Sequence, residues 1–159
     1  YLQPTGFKIL IDRAKYPNLE YFCQSVEHPS VTANPIEFPV RRITGVPLPG
    51  DKITHGEIGF TIILDEEMTA YNEMHNWLQR LVNEAQVGPS SRDTKFPTFA
   101  DITLMILSSQ NNTTQKVRYR DCLPVSLGGI NFTTTTGNVT YLTFTASFRF
   151  STFEIIKQT

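Results

Sequence analysis

From Leu142 to Phe150 every second residue is apolar: Leu142, Phe144, Ala146, Phe148 and Phe150 alternate with Thr143, Thr145, Ser147 and Arg149. A period of two puts the first set on one face of a β-strand and the second on the other, a sorting that no helix achieves. One face must leave water, so this strand has a core behind it and a polar surface in front. The run reaches back to Val139, and at about 3.3 Å per residue a strand over 139–150 would span roughly 40 Å. Ile130 to Thr134 precedes it, joined through Thr136-Gly137-Asn138, and the pair reads as a hairpin.

Further alternating or apolar runs lie at Phe7 to Arg13, Leu19 to Glu27, Ile36 to Arg42, Glu57 to Leu64, Ile102 to Ser108, Lys116 to Asp121 and Ser126 to Thr134. Pro and Gly separate most of them, as in an all-β domain. Between Leu64 and Pro89 the period changes. Met68, Tyr71, Met74, Leu78, Leu81 and Val82 recur at helical spacing, Asp65 is a candidate N-cap, and Glu66 and Glu67 suit the positive end of a helix dipole. Gly88-Pro89 ends the pattern after about five turns, and Ser90 to Thr94 form a polar loop. Asn72, Glu73, Asn76, Gln79 and Arg80 point mostly outward, and the Met and aromatic stripe reads as core packing. The fold class is therefore mainly β with one helix: an antiparallel β-sandwich or barrel flanked by a single α-helix.

Size and composition agree with one domain over residues 1–159. A chain of 159 residues buries roughly 70% of its unfolded surface, enough for a core without disulfide or metal staples. With 11 Phe, 6 Tyr and 1 Trp it is too aromatic for disorder, and no apolar run approaches the roughly 20 residues of a membrane helix. Charged residues are only 18%, against about 25% in an average domain, and 14 Lys and Arg against 15 Asp and Glu leave a net of -1. Such a surface does little to keep copies apart, so self-association is expected. It also lacks the basic excess of a nucleic-acid groove: Arg41-Arg42 is the one adjacent basic pair, and Arg118 and Arg120 alternate on a strand.

Residue patterns for chemistry are sparse. Cys23 and Cys122 lack Cys-x-x-Cys spacing and read as two buried free thiols. His28, His55 and His75 do not converge by spacing, and His75 on the helix reads as a partly buried packing residue. No phosphate loop or nucleophile elbow occurs, so no enzyme, cofactor, metal or small-molecule substrate is expected. An enzyme would need His55 or His75 beside an acid in a wet cleft. Asn-x-Thr triplets at Asn111, Asn112, Asn131 and Asn138 are acceptors only in a secretory setting, and the start, YLQPTGFKILIDR, shows neither the basic nor the apolar region of a signal peptide. The Thr133 to Thr136 run fits a polar, uncharged β surface.

Ile43 to Ile53 is unusual, with two Pro and two Gly among Val46, Leu48 and Ile53. It cannot pair continuously in a sheet, and a loop this apolar either folds onto its own domain or is offered to another.

The order of these pieces resembles the tail-tube family of contractile-tailed, T4-like phages, related to type VI secretion tubes. The likeness rests on a Pro/Gly loop ending in Gly50-Asp51-Lys52, the strand Glu57 to Leu64, Asp65-Glu66-Glu67 opening a helix with Trp77, and Val117 to Asp121 followed by Cys122 to Gly128 and a terminal hairpin. The resemblance implies a virion structural protein: a ring-forming, usually hexameric subunit of a tail tube or of the baseplate ring that initiates it, around a channel for genome passage. Its implied partners are itself and other tail or baseplate proteins, with DNA passing without specific contact, no membrane, and assembly in the host cytoplasm. Within it, Val46, Leu48, Pro49, Gly50, Asp51 and Ile53 would form an inter-subunit loop, and Thr143, Thr145 and Ser147 would face the lumen. The residues alone leave open a β-sandwich binding module, such as a carbohydrate-binding or capsid-decorating domain.

Overall fold

The computed structural model describes residues 2–12, 14–40, 44–86, 98–134 and 140–157. In chain order its elements are β1 (Phe7–Leu10), α1 (Pro17–Tyr21), β2 (Cys23–Glu27), β3 (Val31–Ala33), β4 (Ile36–Val40), β5 (Thr44–Leu48), β6 (Ile53–His55), β7 (Ile58–Ile63), α2 (Thr69–Gln86), β8 (Ala100–Leu107), β9 (Thr113–Leu127), β10 (Thr143–Arg149) and β11 (Thr152–Lys157). All pairings are antiparallel, as the alternation requires.

The body is built around β9. Its first part pairs with β8 on one side and β11 on the other, and β1 extends that sheet beyond β8. Its last part pairs with β10, continuing to β7 and β2. The change of sheet falls at Asp121, whose φ of 53° turns the strand. The neighbouring chain turns with it: Ser151, between β10 and β11, donates its backbone N–H to the Arg120 carbonyl at 3.0 Å, and its hydroxyl lies 3.1 Å from Asp121 Oδ2. The backbone N–H of Asp121 is taken by Asp101 Oδ1 at 3.2 Å. Left-handed backbone is costly for a branched side chain. Asp121→Val is therefore expected to destabilise the subunit by about 1–3 kcal/mol, and Asp121→Gly by less, in urea unfolding.

The core lies between the two sheets and under α2. Ile58, Phe60 and Ile62 of β7 and Phe144, Ala146 and Phe148 of β10 alternate inward, facing Ala70, Met74 and Trp77 of the helix. Trp77 stacks on Tyr16 at 4.2 Å and 11°, and meets Phe148 at 5.4 Å. The core-facing strip of α2 is narrower than its periodicity implies. Val82 is exposed and Leu78 half-buried. Two expected outward residues are recruited instead: Glu73 accepts from Asn18 Nδ2 at 2.6 Å and the Leu19 N–H at 3.2 Å, and Arg80 donates to the Tyr16 hydroxyl at 2.7 Å.

Those contacts explain a second helix that alternation conceals. Pro17 opens α1 where its missing N–H costs nothing, Leu19 is buried, and the strand in the Leu19 to Glu27 run begins only at Cys23. The long helix also starts later than Asp65. Met68 takes a φ of 54°, so the helix begins at Thr69, with Asp65 Oδ2 accepting from the Thr69 hydroxyl at 2.6 Å and its N–H at 3.1 Å; Glu66 and Glu67 precede the first turn. These hydrogen bonds, the hydroxyl's first, hold the Asp65 carboxyl below its ordinary value.

Two strand expectations are revised. The terminal strand is not continuous over 139–150: it runs from Thr143 to Arg149, breaks at Phe150 and Ser151, and resumes as β11 in the other sheet. Ile130 to Thr134 is not a strand, and the hairpin partner of β10 is the end of β9, with Ala146 opposite Leu127 and Ser147 opposite Ser126. In the Ile43 to Ile53 segment, expected not to pair continuously, Thr44 to Leu48 forms a ladder with β4 and pairing stops until Ile53. A two-stranded ribbon leaves each strand a free edge, so Pro39 and Pro47 sit in it without breaking a sheet. Thr136-Gly137-Asn138, Gly88-Pro89, the Ser90 to Thr94 loop and Arg41-Arg42 lie outside the described residues.

Candidate assembly surfaces

The alternation that buries Phe144, Ala146 and Phe148 sends Thr143, Thr145 and Ser147 to the opposite face, where Thr145 is exposed and the other two are half-exposed. The register collects hydroxyls there. Thr145 lies opposite Thr61, and Thr61 opposite Ser25; Ser147 lies between Ser126 and Gly59, and Gly59 lies opposite Glu27. Glu27 and Arg149 bring charge to this face, and Ile63, opposite Thr143, and Leu123, opposite Arg149, bring apolar side chains to it. Gly128 closes the edge of this patch: its N–H donates to the Thr145 carbonyl at 2.6 Å, and a Cβ there would run into the Thr145 side chain.

The second surface is an arm. From Ser30 to Pro39 and from Gly45 to Thr54 every residue except Gly50 is exposed. The arm is two short ladders in series, β3 with β6 near the body and β4 with β5 beyond them. In the outer ladder Ile36 lies opposite Leu48 and Phe38 opposite Val46, so all four share one face, while Glu37, Pro47, Pro39 and Gly45 take the other. Phe38 is 58% exposed and Leu48 45%. In the inner ladder Ala33 pairs with Ile53, itself 65% exposed. Gly50 fits because the Asn34 carbonyl occupies the place a Cβ would take. Pro49 and Asp51 flank it, exposed.

The six residues expected in an inter-subunit loop, Val46, Leu48, Pro49, Gly50, Asp51 and Ile53, are thus brought together on this arm. Ile36 and Phe38 are the partners that sequence reading left out. Their alternation was visible in the Ile36 to Arg42 run, but register alone shows that they stand beside Leu48 and Val46.

A third surface is a groove of about 460 Å³ at the open end of the sandwich, lined by Phe7, Val26, Leu104, Ile106, Val117 and Ile155 among others. Uncharged Ser25 and Gln115 and the imidazole of His28 join these apolar side chains. β1 and β2, at the two ends of the strand path, and β11 leave backbone edges unpaired among the described strands.

Among the described residues no group of three or more His, Cys, Asp or Glu is placed to hold a metal ion. Cys23 and Cys122 are unpaired, and burial pushes both thiols up to about 12, far from a nucleophilic thiolate at neutral pH. His75, expected to be partly buried, is exposed and stacks on Tyr71 at 6.4 Å; the helix turns it away from the strip through Met74 and Trp77. His55 and His28 stand at the arm's two roots, against Phe150, Phe153 and Tyr119.

The family described as phage tail tube protein matches residues 2–156. The fold is similar to a chain of the PVC sheath–tube complex of an extracellular contractile injection system in its extended state, with a TM-score of 0.68, 14% identity, and coverage of 99% of this chain and 93% of that one. It is similar to the tube-terminating cap of the anti-feeding prophage (TM-score 0.69, 12% identity, 99% and 92% covered) and to a crystal structure of Hcp protein (0.53, 12%, 98% and 100%). No curated protein matches the chain by sequence. The location that follows is a virion or tail-like particle. With its antiparallel sandwich, hydroxyl-bearing sheet and exposed arm, the chain belongs to the phage tail tube protein family and is a structural tail protein.

Proposed function

We propose that the chain acts as one tail-tube-like domain over residues 1–159, without catalytic role, and closes into rings of about six copies around a channel for genome passage. The observation that carries this reading is the arm: a ribbon two strands wide, apolar on one face and exposed along its length, is marginal in water without a cover. A second copy supplies one. The exposed arm and the apolar groove are lined by different residues of one chain, which suits head-to-tail contacts that close into a ring. Edge strands left unpaired in the subunit add a second motive for closure.

In this reading Val46, Leu48, Pro49, Gly50, Asp51 and Ile53 contact the adjacent subunit or next ring, and Thr143, Thr145 and Ser147 face the lumen, where hydrated hydroxyls give a passing chain little to hold. Assembly takes place in the host cytoplasm with other tail proteins. Native mass and low-resolution imaging test the ring: six-fold rings or tubes are expected, and a stable monomer overturns it. A Thr145→Cys variant tests the lumen. It is expected to react with a bulky thiol reagent in isolated subunits and to be shielded from it in end-blocked tubes; equal labelling places Thr145 outside.

A further inference from the structure

The arm joins the body through two short roots, and each is held by a histidine against the same ring. His28 meets Phe153 at 5.3 Å and 87°, and His55 meets it at 5.6 Å and 83°. His55 also packs on Phe150 at 5.3 Å. Between the roots, the Gly56 N–H donates to the Ser30 carbonyl at 2.9 Å, closing the base.

His28 has a further partner: its Nδ1 lies 2.6 Å from the hydroxyl of Tyr119, a residue with no exposed surface. Burial holds the Tyr119 phenol far above its ordinary value, so the hydroxyl keeps its proton, and His28 Nδ1 is the one hydrogen-bond partner it has among the described residues. Nδ1 must then present a lone pair, which fixes the neutral imidazole with its proton on Nε2. A proton added at Nδ1 removes that acceptor and strands the buried Tyr119 hydroxyl proton.

We propose that His28, Tyr119, Phe153 and His55 form an acid-released latch that sets the direction in which the arm leaves the body. Its consequence for assembly rests on the reading of the arm as an inter-subunit contact. The charged groups near the latch are Glu27, the last residue of β2 and next to His28, and Glu57, beyond His55; both line the hollow beside His28. The elements packed from the other side bring uncharged Tyr119, Phe150 and Phe153, and the groove next to His28 adds Ser25 and Gln115. Burial lowers the His28 value. The sign follows: neutral His28 supports the closed root above the ordinary value of about 6.5, and that support is lost as pH falls through the lower folded-state value.

The test is amide exchange on the unassembled chain, read as protection factors from about pH 7.5 to about pH 5.5, either side of the ordinary imidazole value. Protection at Gly56 is expected to fall several-fold, up to about tenfold, while Phe60 in the core holds, and the fall is expected to vanish in His28→Gln with His55→Gln. A flat wild-type response, or an undiminished fall in the double variant, overturns the latch. Should the double variant not fold, Tyr119→Phe keeps the ring and removes the stranded proton; a smaller fall supports the latch and an unchanged one overturns it. Sedimentation over the same titration separates the two ideas, because an arm that opens in acid with rings intact refutes the arm's part in assembly and leaves the latch standing.

Discussion

Replacing Trp77 with alanine is expected to cost the subunit about 3–5 kcal/mol, the range for removing a large aromatic from a core. The upper end is expected because more than area is lost. The indole is 1% exposed, stacks on Tyr16 at 4.2 Å, meets Phe148 at 5.4 Å, and donates its N–H to the Thr98 carbonyl at 3.2 Å. Its removal frees one side of Tyr16, whose hydroxyl Arg80 still holds. A domain's whole stability is about 5–15 kcal/mol, so the variant would approach the unfolding threshold. Leu78→Ala, on the same helix but half-buried, is expected to cost only about 1–2 kcal/mol. Urea unfolding followed by far-UV circular dichroism checks both, and equal costs would mean that α2 is packed otherwise than described.

The arm is expected to behave in the opposite way. Val46→Ser with Leu48→Ser touches two side chains already 46% and 45% exposed, so subunit stability should stay within about 0.5 kcal/mol. Each apolar side chain that a neighbour would cover contributes about 1.5–3 kcal/mol when fully buried. Because each is already about half-covered within the subunit, losing both should weaken each contact by about 1.5–2.5 kcal/mol, over tenfold in association. Thermal unfolding of the monomer and sedimentation across a concentration series give the two readings. A melting temperature that drops as sharply as assembly would assign the arm to its own subunit's core.

The contrast between these variants shows what the sequence made legible. Alternation identified both faces of β10 and the strand β7, because a period of two survives any arrangement of neighbours. Helical periodicity found α2 but overstated its buried strip, since the period cannot tell how wide a sheet lies beneath it: Val82 fits the pattern and faces water. α1 escaped because five residues are too few to show a period, and Pro17 reads equally well as a loop. The break at Ser151 was hidden for another reason. The phase of the alternation slips there, with Ser151 and Thr152 both polar between Phe150 and Phe153, but a slip does not say which strand comes next, and only the contacts to Arg120 and Asp121 reveal that the chain changes sheets. For the candidate surfaces, composition marked Val46, Leu48 and Ile53 as unusual, but pairing is a two-strand property, so Ile36 and Phe38 became their companions only in the register.

The passage of β9 from one sheet into the other has a mechanical meaning. A load on the hydroxyl-bearing sheet reaches the other sheet along one covalent backbone, through Asp121, rather than across a face of side chains that could slide. The Ser151 contacts hold the companion chain at the same bend, so the two strands resist shear there as a pair. A tube wall made of such subunits would carry axial force in its chains and leave its side-chain packing to resist compression.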